Sequence, residues 1–247
     1  MLTEKEKLRY SRQIMLKPIG EEGQIALRNA NVMIVGVGGL GNPVALYLAA
    51  AGIGTLFIAD GDNVDITNLQ RQILFTEQDV NKNKADTAAE KLIQHNSDVT
   101  IEVIDEMLDY ELCDYYVPKM DLVIDCSDNI QTRYLVNQYC VSHKVPLIIG
   151  AATGFDGQQL VVDPRNAESA CYHCLFPESK KPPENNCQTI GIVGPVLSIV
   201  AGMQSLQAIK LLTGNMVHIN QLNLFDGLCN QWQQFKIKKQ ESCKVCG

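Results

Sequence analysis

The stretch NVMIVGVGGLGNP, Asn31 to Pro43, carries an apolar run into Gly36-Val-Gly38-Gly39-Leu-Gly41. Glycines at these positions let the backbone turn sharply and bring its N–H groups against phosphate oxygens. The positive end of a following helix adds attraction for anions. An acid, Asp60, closes the next apolar run about 20 residues on, the spacing of a dinucleotide fingerprint with its acid on a ribose hydroxyl. Taken alone, the loop suits NAD as well as ATP, and a turn that binds nothing is the plain alternative.

The residues beyond Asp60 shift the choice. Asn68 and Arg71 lie in DGDNVDITNLQRQILF, and Lys84 lies in NKNKAD, where the next helix is expected to begin. An amide and two cations so soon after a ribose acid suit a triphosphate, whose charge must be neutralised when its α-phosphate is attacked. Two solvated cations are the plain alternative. Asp128 comes just after the apolar run LVID in LVIDCSDN. At the carboxyl end of a strand it would face the same crevice as the glycine loop and could hold Mg²⁺ between phosphates. It could instead cap the following helix, or do both.

Four of the nine cysteines form two Cys-x-x-Cys pairs, Cys171/Cys174 in CYHC and Cys243/Cys246 in CKVC. Two such knuckles can place four thiolates tetrahedrally around Zn²⁺. Two redox-active pairs are the alternative. His173, between two of these cysteines, reads as a bystander. Cys187 closes PESKKPPENNC, which is rich in proline and has no apolar periodicity, and residues 177–188 are expected to form a mobile crossover loop. A cysteine placed there, just before a helix, is a candidate nucleophile. Cys113, Cys126, Cys140 and Cys229 sit in strand or helix patterns and read as packing residues.

These residues need a frame to hold them. The 247 residues are 46% hydrophobic with a net charge of −7, which suits one globular domain over 1–247 and argues against a nucleic-acid partner. Apolar runs at Val32–Val35, Thr55–Ala59, Val99–Ile104, Leu122–Asp125 and Leu147–Ile149 alternate with helical patterns at Pro43–Ala51, Ala85–Gln94 and Arg133–Ser142. That alternation implies an α/β, Rossmann-like sheet, largely parallel, with helices on both faces. A long helix is expected to end at Gly214, and Gln221–Phe225 with Gln231–Ile237 to form a late antiparallel hairpin. Thr3 and Glu6 are spaced as a capping box. The apolar stretch Ile192–Leu212 is interrupted by Pro195, Gln204, Gln207 and Lys210, which suits a buried or interface helix rather than a membrane span. The opening MLTEKEKLRY has no apolar leader and the cysteines are spaced for metal rather than disulfides, so the cytoplasm is the expected compartment.

As a set, RYSRQI, GVGGLGNP, ITNLQRQILF, DCSDN, DGQQL, CYHCLFP, NCQTIGIVGP and CKVCG resemble the E1-like adenylyltransferases of the ThiF and MoeB group. The motifs keep the group's order and span essentially the whole sequence. ALYLAAAGIGTL, GFDGQQL and NCQTIGIVGPV are more similar to the thiamine-pathway ThiF branch than to the molybdopterin-pathway MoeB branch. DGQQL departs slightly, with Gln158 where many relatives carry a second glycine.

The resemblance implies ATP rather than NAD. It places Gly36, Gly38, Gly39 and Gly41 at the nucleotide, Asp60 on the ribose, and Asn68, Arg71 and Lys84 on the phosphates. Asp128, associated with Mg²⁺, and the adjoining Asn129 belong to the same site. Arg12, in RYSRQ, corresponds to an arginine that reaches the active site of a neighbouring subunit, which implies a homodimer. The paired cysteines become structural zinc ligands, and Cys187 a residue that links to the carrier during sulfur transfer. The implied reaction is ATP-dependent adenylation of the C-terminal glycine carboxylate of a ubiquitin-like, ThiS-like sulfur-carrier protein, with a sulfurtransferase or cysteine desulfurase as a further partner. The alternatives are adenylation of a MoaD-type carrier, NAD-dependent oxidoreduction, and a zinc-bearing nucleotide sensor.

Overall fold

A computed structural model of the chain describes residues 1–177 and 191–247. The expectations for Cys187 and, beyond Pro177, for the 177–188 loop lie outside the described residues. Five strands, β1 (Asn31–Val35), β2 (Thr55–Ala59), β3 (Thr100–Ile104), β4 (Leu122–Asp125) and β5 (Leu147–Thr153), pair in parallel in the order β3–β2–β1–β4–β5. Three more, β6 (Asp156–Val162), β7 (Gln221–Asp226) and β8 (Gln231–Lys236), extend the same sheet antiparallel beyond β5.

The strands at the centre are those whose sequences are apolar without alternation. β1 reads NVMIV, and Val32 and Ile34 join one core with Leu27, Val44, Leu48 and Leu56. Met33 and Val35 join a second core on the other face, with Val123, Val136 and Leu147. A strand covered on both faces needs apolar residues at successive positions, and each fully buried aliphatic side chain contributes about 1.5–3 kcal/mol. The edge strand β3, TIEVI, alternates instead, with Thr100 and Glu102 exposed.

Helices cover both faces. Among the described residues they are, in chain order, α1 (Glu4–Arg9), α2 (Ser11–Ile14), α3 (Gly20–Asn29), α4 (Gly41–Ala51), α5 (Lys84–His95), α6 (Tyr110–Tyr116), α7 (Ile130–Ser142), α8 (Tyr172–Leu175) and α9 (Gly194–Leu212). The Thr3–Glu6 capping box starts α1, as the spacing requires. Helix α9 is long and apolar enough to cross a membrane by length and composition alone. It packs instead on α4, β5 and β6, burying Val196, Leu197, Val200 and Ala201. Gly214, just beyond it, has φ +73°.

Two expectations are corrected. Strand β5 runs past Ile149 to Thr153 through Gly150, Ala151 and Ala152, residues with little strand preference of their own. Its extension comes from pairing with β6, and a Cβ at Gly150 would clash with the Gln204 amide of α9. Cys229 is not a packing residue: it is exposed in the β7–β8 turn, where its N–H donates to Asp226 Oδ1 at 2.9 Å.

Candidate functional site

The chain leaves β1 for β2 on one side and later returns to β4 on the other, so the carboxyl ends of β1 and β4 form a switch point where ligands of such sheets bind. Backbone pairing continues past the strand ends. Gly36 N–H donates to Ala59 O at 2.8 Å and Cys126 N–H to Val35 O at 2.8 Å. The loops after β1, β2 and β4 therefore start side by side.

The glycine loop is closely packed at Gly36, Gly39 and Gly41. A Cβ on Gly36, whose φ is +82°, would lie 3.2 Å from the Cys126 carbonyl oxygen. One on Gly41 would clash with the Gly36 carbonyl oxygen, and one on Gly39 would lie 2.6 Å from Leu197 of α9. The loop leads into α4, whose first N–H groups have no partner within the helix and favour anions. Buried Asn42 fixes its height: the side-chain N–H donates to Val37 O, and Oδ1 accepts the Leu74 N–H at 2.9 Å.

Asp60 faces this loop directly. Its Oδ2 accepts the Val37 N–H at 2.8 Å and its Oδ1 the Asp62 N–H at 2.9 Å. Burial pushes its carboxyl above the ordinary carboxylate range, against the pull of Lys84 and the two backbone donors. Lys84 opens α5 and is only 6% exposed, so it is not a solvated surface charge. Its Nζ is 2.8 Å from Asp62 Oδ2. Asp62 is invisible as a site residue in the sequence, where it reads as one more turn acid.

The segment between them is folded on itself. Asn68 Oδ1 accepts the Asp65 N–H at 3.1 Å, and Asp65 Oδ1 accepts the Thr67 N–H at 2.8 Å, a reciprocal cap around a short 3₁₀ turn, Ile66–Asn68. Arg71, half-buried, reaches back to the Thr67 carbonyl at 2.9 Å.

At the end of β4, Asp128 is exposed. It does not cap the helix that follows: Asn129 does, its Oδ1 accepting the Thr132 N–H at 2.8 Å. The turn carrying both residues is fastened by a pair the sequence does not signal. Arg133 Nε lies 3.1 Å from Asp125 Oδ2, and its Nη2 donates to the Ser127 carbonyl at 2.8 Å and the Gly150 carbonyl at 3.3 Å. Asp125 Oδ1 takes the Ser127 N–H at 2.9 Å and its hydroxyl at 2.6 Å. In the sequence Arg133 is part of an ordinary helical pattern.

Arg12 lies apart, exposed on α2, which packs on α1 and α3. Nothing within one chain joins it to the glycine loop among the described residues.

The four paired cysteines do meet. Their sulfurs all lie within 4.8 Å of one another, with Cys171–Cys243 at 3.7 Å and Cys174–Cys246 at 3.4 Å. Thiolates about 2.3 Å from a tetrahedral ion stand about 3.8 Å apart, so this donor set fits a closed metal site and excludes disulfides in this state. His173 Nδ1 lies 3.7 Å from Cys243 Sγ.

The sequence matches the ThiF family over residues 10–245. It is 44% identical over 246 residues to the sulfur carrier protein ThiS adenylyltransferase of Escherichia coli strain K12, covering 100% of this chain and 97% of that protein. It is 41% identical over 249 residues to the adenylyltransferase and sulfurtransferase MOCS3 of Anopheles gambiae, covering 99% of this chain but only 56% of that protein. Among solved structures, the crystal structure of E. coli MccB with ATP superposes with a TM-score of 0.82 at 27% identity, over 97% of this chain and 73% of that one.

Proposed function

The chain belongs to the ThiF family, and we propose that it catalyses ATP-dependent adenylation of the C-terminal glycine carboxylate of a small ubiquitin-like sulfur carrier of the ThiS kind. The observation that carries this reading is the 44% identity to a ThiS adenylyltransferase along the whole chain. The site geometry supports it: the glycine loop, Asp60, the buried Lys84 and the Asp128 turn lie at the carboxyl ends of the neighbouring strands β2, β1 and β4. Cations after a ribose acid are what a triphosphate needs and a nicotinamide dinucleotide does not.

In this reading the backbone N–H groups of the glycine loop and the start of α4 hold phosphate oxygens, and Asp60 holds the ribose. Asn68, Arg71 and Lys84 neutralise the phosphates, with Lys84 kept in place by Asp62. A carboxylate oxygen of the carrier's terminal glycine attacks the α-phosphorus. The bond to the β-phosphate oxygen breaks, giving an acyl-adenylate and pyrophosphate. The carboxylate is already ionised near neutral pH, so no general base is required. Positioning two anions and neutralising the charge that develops is the enzyme's task. Asp128, exposed and set beside Asn129, would hold Mg²⁺, which supplies charge neutralisation on the phosphates. Arg12 is assigned to the site of a second copy in a homodimer. Cys187 is assigned to carrier linkage after adenylation.

Intact-mass measurement of a carrier ending in Gly-Gly, incubated with enzyme, ATP and Mg²⁺, is expected to reveal the carrier adenylate. Finding only unmodified carrier would refute the assignment. A MoaD-type carrier is the second reading, and the same measurement with each carrier separates the two.

The cysteine cluster is assigned to one structural Zn²⁺, held by Cys171, Cys174, Cys243 and Cys246. Two segments far apart in sequence meet there, so loss of the ion should loosen the packing of α8 against the Cys243–Cys246 segment. Protein purified without chelator is expected to carry one Zn²⁺ per chain by elemental analysis, falling to none on Cys243→Ser with Cys246→Ser. Zinc absent from the unsubstituted protein would contradict this.

A further inference from the structure

Asn137, on α7, has none of the roles assigned above. It is 0% exposed. Its Oδ1 accepts the Tyr172 N–H at 2.9 Å. A backbone N–H can only donate, so this bond fixes which end of the amide is which. The other end, Nδ2, is buried and has no hydrogen-bond partner among the described residues. Burying an unpaired amide donor is costly, and an apolar side chain would fill similar space without that cost.

The fold holds this amide beside the cysteine cluster. Asn129, Arg133 and Asn137 follow at four-residue intervals along one face of α7 and its cap. Arg133 ties that face to the β4 turn, and its guanidinium carbon lies 5.7 Å from the centre of the Tyr172 ring. Tyr172 directly follows Cys171, so the N–H held by Asn137 belongs to the peptide that joins the two. Cys171 is itself 0% exposed. Burial disfavours its thiolate, while the Cys246 thiol, the Cys174 N–H and the Asn137 amide favour it.

We propose that Asn137 is an outer donor of the metal site, its Nδ2–H hydrogen-bonded to the Cys171 thiolate when that sulfur binds the ion. Four thiolates on one divalent ion leave excess negative charge, and a buried sulfur has no water to spread it. An N–H directed at the sulfur takes up part of that charge and fixes the ligand's orientation. A neutral thiol is a weak acceptor, so the donor is well satisfied only once Cys171 is deprotonated.

This inference rests on the cluster holding a metal, and its test separates the two claims. Zn²⁺ affinity of the full chain is measured by competition with a chromophoric chelator. Co²⁺ loaded in place of Zn²⁺ reports the thiolate-to-metal charge-transfer band, and melting is followed without metal. Asn137→Asp keeps the acceptor for Tyr172 and loses the donor, whereas Asn137→Leu loses both. Each variant is expected to bind Zn²⁺ about 10–100-fold more weakly. Each should also move the charge-transfer band to longer wavelength, because a sulfur that loses a hydrogen bond gives up electron density more readily. An unmoved band with Zn²⁺ affinity within about twofold of the unsubstituted protein would overturn the proposal. So would an unmoved band with affinity and melting temperature lowered together, which is the mark of a purely structural amide. Failure of the unsubstituted protein to bind either ion would overturn both this proposal and the metal assignment beneath it.

Discussion

Arg133→Met is expected to destabilise the fold by about 3–5 kcal/mol, measured as the change in unfolding free energy in urea, because it strands the Asp125 carboxylate in the interior. Asp125 has no exposed surface and Arg133 is 8% exposed. The guanidinium satisfies a carboxylate oxygen and two backbone carbonyls at once, those of Ser127 and Gly150. Methionine fills part of the volume and none of those contacts. The double variant Asp125→Asn with Arg133→Met removes the orphaned charge and should recover a substantial part of the loss, the non-additivity expected of directly bonded groups. Arg133→Lys keeps the charge but not the planar fork, and should fall between the two. A loss below about 1 kcal/mol in the single variant would mean that the pair does not hold the turn.

Asp128→Ala is expected to behave in the opposite manner, with unchanged stability and adenylation slowed by about 10²–10³-fold, the scale on which single electrostatic groups act in transition states. The separation follows from position. Asp128 is exposed, and the capping hydrogen bond of α7 belongs to its neighbour. Asn129→Ala supplies the contrast, costing about 1 kcal/mol of stability through the lost cap. Initial rates of carrier-dependent pyrophosphate release, set beside urea melts of both variants, check the division. Normal rates in Asp128→Ala would remove that residue from the chemistry.

The sequence is most legible where one residue pattern answers to one environment. β1, β2 and β4 are apolar at consecutive positions because both faces are covered, and the runs at Thr55–Ala59 and Leu122–Asp125 coincide with the strands. The glycine spacing likewise locates the loop, since Gly41 is required by a backbone approach and Gly36 is favoured by its positive φ. The cysteine pairs converge for the same reason, because a four-thiolate site leaves a fixed mark in sequence.

The features that stay hidden are those that long-range contact creates. The second half of β5 is small and flexible in sequence and becomes a strand only against β6. Asp62 and Asn42 look like residues of a polar turn until the folded chain sets them on Lys84 and Val37. Asp128 and Asn129 are adjacent and both can cap helices, so only the geometry assigns the cap to Asn129. The Asp125–Arg133 pair joins a strand end to a helix face, and periodicity alone could not couple them.

Transfer of AMP from ATP to a carrier carboxylate is the step proposed for this site. ATP–pyrophosphate exchange measures that step in isolation, since it needs reversible cleavage at the α-phosphate and nothing downstream. Exchange is expected only when a carrier ending in Gly-Gly is added, and it should vanish when the carrier's terminal glycine is deleted. No exchange with intact carrier at saturating ATP and Mg²⁺, or exchange that is indifferent to the carrier's last residue, would contradict the account.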